Sequence, residues 1–307
     1  MPPPIKLLLD TDVGTDVDDA LAISLALASP ELDLRAVTTV SGDVRLRGRI
    51  AKKLLTLAGR ADVPVAAGVS QPELRQRSFL SLGHEGRGIV NDDEDLPLAG
   101  THGVDLMIDT ILTERPHVVA IGPLSNLAVA IMKEPAVIDA VSHLTVMGGA
   151  LGRVSNTPPL EYNLASDAEA TLVVLNAGMP TTLVPLDVTW QVALAEVQLA
   201  RLRGSRSPLV QTLCDAIEVW APLQRAFFGG MPGFQPTTVS LLHDPLTLAV
   251  VIDPSFVTFE RLRLRPALVD GAFQFIEEAA APEFDVAVSV DAARFVEFML
   301  QRLERLT

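Results

Sequence analysis

The chain is poor in cysteine and in lysine. Cys214 stands alone among 307 residues, so no intramolecular disulfide can form, and a reducing compartment is expected. Lysines number four, and the formal net charge is −14. That balance argues against a nucleic-acid backbone or an anionic membrane as partner. It suits a small neutral or cationic ligand, or an anionic one approached through a metal. No apolar run reaches the ~18 residues that would cross a bilayer. No leader pattern is visible either, because MPPPIK runs directly into a strand. A soluble, cytoplasmic protein is the expectation.

What the sequence does have is a dense run of acid. Asp10, Asp12, Asp18 and Asp19, with Asp16 between them, lie in LLLDTDVGTDVDDALAI. They fall where an apolar strand, residues 5–9, gives way to a helix beginning near Asp18. In an open α/β sheet, ligands bind outside the carboxyl ends of the strands. Carboxylates crowded there repel one another and do not all ionise unless something positive compensates. A hard divalent cation, Ca²⁺ or Mg²⁺, held by oxygen ligands supplies that charge. Capping and charging of a helix N-terminus could account for Asp18 and Asp19. It does not account for Asp10 and Asp12, which precede the helix by a loop.

Along the chain, apolar runs alternate with helical patterns. Strands are predicted at residues 5–9, 34–40, 63–67, 117–121, 143–147 and 181–186, and helices at 20–27, 46–57, 105–113, 126–132 and 167–176. This order predicts an α/β fold: an open, doubly wound, mostly parallel sheet with a Rossmann-like core. Helical insertions are expected towards the C-terminal half, including residues 208–228. Two further strands, 257–264 and 284–290, precede a last helix. Three irregular stretches, 70–100, 148–159 and 229–238, have the length of functional or mobile loops. With no repeat, linker or boundary, residues 1–307 are expected to form a single domain.

The other strand ends carry polar groups too. TTVSGD ends the second strand with Asp43. IGPLSN follows the strand at 117–121, and its tight turn could aim the Ile121 carbonyl at a metal. The strand through Met147 ends in MGGA, whose glycines let the backbone approach a ligand. Glu161 and Asn163 lie two apart, which in an extended segment puts both on one face. A carboxylate beside an amide suits vicinal hydroxyls, although a polar loop capping the next helix reads equally well. Asp244, between His243 and Pro245, suits either an N-cap or a hard oxygen ligand. His243 can donate a proton near neutral pH. His84, in LGHEGRG, reads as either a solvated loop histidine or a site residue. Trp220, Phe227 and Phe228 fall at helical spacing and read as packing residues.

Taken in order, DTDVGTDVDDALAI, TTVSGD, IGPLSN, MGGA, EYN and HDP resemble the nucleoside hydrolase family, of the inosine-uridine preferring, Ca²⁺-dependent type. The resemblance spans at least residues 5–254. It implies cleavage of the N-glycosidic bond of ribonucleosides to free base and ribose. It implies Ca²⁺ held by Asp12, Asp19, Asp244 and the Ile121 carbonyl, with a water and two ribose hydroxyls completing the shell. Asp12 would also be general base for that water, and His243 would face the departing base. Asp18 and Asn163 would bind the 2′-hydroxyl, Glu161 the 5′-hydroxyl, and Asn156, next to Ser155, the 3′-hydroxyl. Met147 and His84 join this substrate-binding set, and Asp10 would orient the ligands from behind. A homo-oligomer, dimer or tetramer, is implied as well. The chain departs from the family in three places: Asp43 stands where asparagine is usual, an ungapped count from MGGA puts Ser155 where the asparagine for the 3′-hydroxyl is common, with Asn156 one residue on, and Trp190 stands where histidine is common.

Two other classes fit parts of the pattern. A haloacid-dehalogenase-type phosphatase shares the Asp-Thr-Asp opening but needs a lysine near the phosphate and leaves EYN and HDP without a role. A non-catalytic nucleoside- or ribose-binding protein could keep the same metal cage. An EF-hand is excluded, because Leu21 stands twelfth from Asp10 where glutamate is required.

Overall fold

The computed structural model describes residues 3–91, 93–154, 157–158 and 161–306. Eleven strands occur among them: β1 Ile5–Thr11, β2 Leu32–Thr39, β3 Val65–Ala67, β4 His117–Ala120, β5 His143–Met147, β6 Thr181–Val184, β7 Ala193–Ala195, β8 Thr238–Leu241, β9 Val257–Val269, β10 Ala272–Glu277 and β11 Glu283–Val290. Nine form one sheet in the order β10-β9-β11-β6-β5-β4-β1-β2-β3, and β7 pairs β8 apart from it. Every pairing from β11 to β3 is parallel; only β9 is antiparallel to its neighbours. The expected doubly wound α/β sheet is therefore present.

Side-chain alternation along each strand divides the core into two layers. Leu7 and Leu9 pack with helices Asp18–Leu27, Val44–Leu57, Pro208–Phe228 and His243–Ile252. Leu8 points the other way, towards helices Gly103–Glu114, Ser125–Lys133 and Ala168–Leu175. Both faces are covered, which is why β1 reads as a continuous apolar run. Strand order reverses between β1 and β4, and such a reversal opens a crevice at the carboxyl ends of those two strands.

Three strands, β7, β8 and β10, went unread in the sequence. The strand expected at residues 257–264 continues to Val269 and turns back as β10. Asp270 and Gly271 make that turn with φ of 51° and 80°. An Asp-Gly pair with both φ positive is the connection that matches strand twist in a two-residue hairpin. The stretch 229–238, expected to be irregular, ends in β8, whose partner β7 is only three residues long. Strands this short show too few alternations to be read as a period.

Candidate active site

At the β1/β4 crevice lies a cavity of about 420 Å³. One side is acidic: Asp12, Asp16, Asp18, Asp19, Glu161 and Asp244 all line it. The other side is apolar and aromatic, with Trp190, Trp220, Phe227, Phe228 and Met231. Ile121, Met147, Asn163 and His243 line the cavity as well. The fold thus brings together residues drawn from β1, the ends of β4 and β5, and the helix that follows β8.

Asp12 follows the last residue of β1, and Gly122 follows the end of β4. A Cβ built on Gly122 would stand 2.9 Å from Asp12 Oδ1 and 3.0 Å from Asp12 N. Only glycine lets these two strand ends approach so closely. Gly122→Ala is therefore expected to displace the Asp12 carboxylate and to lower turnover by about 100-fold, the scale of a 1 Å misplacement. Near-normal turnover in a folded variant would show that the position of Asp12 is not critical.

Behind the wall, Asp10 is fully buried. Its Oδ1 accepts from Thr38 Oγ1 at 2.6 Å and from Asn126 Nδ2 at 2.7 Å. Burial outweighs those hydrogen bonds and pushes its pKa up to about 7. Thr11 Oγ1 donates to Asp19 Oδ1. Asp18 Oδ2 accepts from the backbone N–H of His243 at 3.2 Å and of Asp244 at 3.4 Å. Its Oδ1 is buried with no hydrogen-bond partner.

Asp12 is pushed up to about 7, first by burial and then by Asp16 and Glu161, against the pull of Arg47. Asp18, Asp19 and Asp244 are raised well above the usual carboxylate range, first by burial and then by the charges of neighbouring aspartates, Asp16 among them in each case. Arg47 is the nearby cation, yet its guanidinium donates to the carbonyls of Ser41, Asp12 and Val13 and to Thr15 Oγ1. Among the described residues none of these acids is in an ion pair. Carboxylate oxygens of Asp16, Asp18 and Asp19 lie within 4.8 Å of one another. This crowd of oxygen donors, none of them in an ion pair among the described residues, fits a hard divalent cation.

Several sequence expectations change in detail. Asp18 and Asp19 do not cap their helix; Val17 holds that position and makes no side-chain cap bond. Asp244 is not an N-cap, because the helix begins one residue earlier, at His243, after Leu242. Glu161 and Asn163 do not converge by lying on an extended segment. Glu161 is the N-cap of helix Tyr162–Ser166, and its carboxylate accepts from the N–H groups of Asn163, Leu164 and Gly149. Asn163 Nδ2 donates to the carbonyls of Ile121 at 3.0 Å and Met147 at 3.2 Å, tying the ends of β4 and β5 together.

His84 does not line this cavity. It stacks on Trp220, ring centroids 5.6 Å apart, and donates from Nε2 to the Thr15 carbonyl. Asp43 caps helix Val44–Leu57 by accepting from Leu46 N, so its charge is not in the cavity wall. Ser155 and Asn156 lie outside the described residues. Trp220, Phe227 and Phe228, expected as packing residues, form the aromatic wall, along with Trp190. Asp16, a member of the acidic run to which the sequence assigns no role, also lines the cavity, as does Tyr162. Tyr162, whose hydroxyl accepts from Leu80 N, carried no signal because only the fold brings the loop to it.

The family profile of the inosine-uridine preferring nucleoside hydrolases matches residues 7–297. The chain belongs to that family. It is 31% identical to an inosine-uridine preferring nucleoside hydrolase of Leishmania major over 99% of this chain and 98% of the relative. It is also 31% identical to a pyrimidine-specific ribonucleoside hydrolase of Citrobacter koseri over 97% of this chain and 98% of the relative. Among solved structures, a purine-preferring ribonucleoside hydrolase from Gardnerella vaginalis superposes with a TM-score of 0.85 at 28% identity, covering 98% of each chain. The expected class, a hydrolase acting on N-glycosyl bonds, is that of this family. The phosphatase alternative falls with it, and no lysine lines the cavity among the described residues. Nor is any helix among them long and apolar enough to cross a membrane.

Proposed function

We propose that the protein hydrolyses the N-glycosidic bond of ribonucleosides, releasing free base and ribose, with Ca²⁺ as its metal. The observation that carries this reading is the two-sided cavity: clustered carboxylates face an aromatic wall across a space of about 420 Å³. A ribose has hydroxyls for the acidic side and a nucleobase has a flat apolar face for the other.

Asp12, Asp19, Asp244 and the Ile121 carbonyl would hold the ion. When bound, Ca²⁺ acidifies the attacking water and fixes the ribose diol. Asp12 then accepts the water proton as general base. The C1′–O bond forms as the C1′–N bond breaks, and the electron pair of the latter leaves with the base. The surrounding carboxylates stabilise the oxocarbenium-like charge on the sugar. Asp18 Oδ1, unpartnered, and Asn163 are the groups for the 2′-hydroxyl, and Glu161 for the 5′-hydroxyl. Met147 borders the sugar, and Asp10 keeps the ligands oriented from behind. Burial lowers the His243 pKa to about 4, so at neutral pH its imidazole is an uncharged hydrogen-bond donor to the departing base. His84 acts on the site from behind, through Trp220, on which it stacks, and through the Thr15 carbonyl. Asn156 remains the candidate for the 3′-hydroxyl. The working form is a cytoplasmic homo-oligomer, a reading that rests on the family resemblance and the lone cysteine.

The test is reducing-sugar release from a panel of purine and pyrimidine ribonucleosides, with and without chelator. Ribose released from at least one, and lost on metal removal, is the expected result. Ca²⁺ binding with no ribose from any of them would favour the binding-protein reading instead.

A further inference from the structure

His243 sits where the acidic and aromatic sides of the cavity meet, and one of its two ring nitrogens is already committed. Its Nδ1 lies 2.8 Å from Thr189 Oγ1. Thr189 is fully buried and closes helix Leu186–Thr189, directly after β6. Its hydroxyl has no other hydrogen-bond partner among the described residues.

That isolation decides the direction of the bond. If Nδ1–H donated to the hydroxyl, the threonine O–H would be left as a buried donor without an acceptor, which is unfavourable. If the hydroxyl donates to Nδ1, every proton is satisfied. The single proton of the neutral ring then lies on Nε2, the nitrogen with no hydrogen-bond partner among the described residues, in a side chain that lines the cavity.

The ring is also held against rotation. Trp190 lies over it, centroids 6.4 Å apart and planes inclined by 20°. Trp190 is itself anchored by Nε1–H donation to the Pro232 carbonyl at 3.2 Å. Asp18 Oδ2 fixes the His243 backbone N–H. Backbone, ring face and Nδ1 are therefore each constrained by a different residue, Asp18, Trp190 and Thr189.

We infer that Thr189 is a positioning residue that fixes the His243 tautomer, so that an Nε2–H donor rather than a lone pair meets the departing base. This rests on the hydrolase reading above. As the C1′–N bond breaks, its electron pair moves onto the base, and a fixed N–H donor stabilises the charge developing there. A lone pair in that place would repel it. The requirement is strong for a nucleobase and weak for a nitrophenolate, which leaves unaided.

Thr189→Val keeps the shape and removes the hydroxyl; Thr189→Ser keeps the hydroxyl and removes a methyl. Turnover of a purine and a pyrimidine ribonucleoside is compared with that of 4-nitrophenyl riboside. Thr189→Val is expected to lower kcat on the nucleosides by about tenfold with KM little changed, and to leave the nitrophenyl substrate within about twofold. Thr189→Ser is expected to restore nucleoside turnover. Long-range proton–nitrogen spectra of the metal-free protein give a second readout, with His243 assigned by its loss in His243→Gln. They should show the proton on Nε2 in the wild type and a tautomer mixture in Thr189→Val. Equal losses on both substrate classes, no loss on either, or a wild-type proton on Nδ1 overturns the inference. A wild type that cleaves no nucleoside counts instead against the hydrolase reading; the spectra decide the tautomer without turnover.

Discussion

Asp12→Asn is expected to lower ribose release by about 1,000-fold, within the range for loss of a general base. The carboxamide keeps the shape of the side chain but cannot accept the water proton. A purely structural Asp12 would predict a different pairing of effects, so stability is the second half of the test. The folded-state pKa of Asp12 is raised to about 7 from an ordinary 3.8. A carboxyl with a raised folded pKa contributes its stability below the unfolded value and loses it as pH rises through the folded value. At pH 8 the ionised, buried Asp12 therefore opposes folding of the metal-free protein, and asparagine does not. The metal-free variant should unfold at a temperature equal to or above that of the metal-free wild type. Turnover within tenfold of wild type would remove Asp12 from the chemistry. A less stable metal-free variant would mean that its carboxylate holds the fold together rather than straining it.

Chelation is expected to abolish activity and to make stability fall as pH rises. Asp10 and Asp12 are raised to about 7, and Asp18, Asp19 and Asp244 are raised as well, each first by burial. The folded state therefore binds more protons than the unfolded chain from roughly pH 4 upwards through neutrality, and stability declines across that window. Ca²⁺ is expected to bind the ionised, folded form. At a hundredfold excess over its dissociation constant it adds about 2.7 kcal/mol, worth several degrees of melting temperature in a chain of this size. Melting curves from pH 5 to 8 in chelator should slope downwards, and the gain from Ca²⁺ should be largest at pH 8. Curves that are flat in chelator and unchanged by Ca²⁺, Mg²⁺ or Mn²⁺ would refute a cation at the acidic wall. If Mg²⁺ or Mn²⁺ alone stabilises, the metal assignment changes while the site stands.

The structure adds a mechanical reason to expect these effects together. Asp18 accepts from the backbone of His243 and of Asp244. The acidic run after β1 thus holds the backbone of both the proposed leaving-group donor and a proposed metal ligand, more than 220 residues further along the chain.

Much of this was legible in the chain itself. Hydrophobic alternation at two periods identified the parallel core strands and their helices, because each strand buried on both faces must be apolar throughout. The strand His143–Met147 and the helix Pro208–Phe228 have the bounds their patterns imply. The crowding of Asp10, Asp12, Asp18 and Asp19 was evident because like charges so close in sequence cannot be far apart in space. Other features were decided only by tertiary structure. Whether Trp220 and Phe228 pack a core or face a ligand depends on what stands opposite them, and that is a cavity reached by residues from distant segments. His84 could be separated from the site only when its ring was seen behind Trp220. The cap roles of Val17, Leu242 and Glu161 depend on where each helix actually starts, which a shift of one residue alters. Local sequence determines the period and the charge of a segment. The partner of a given side chain is set by long-range packing, and that is where the acidic and aromatic walls become one site.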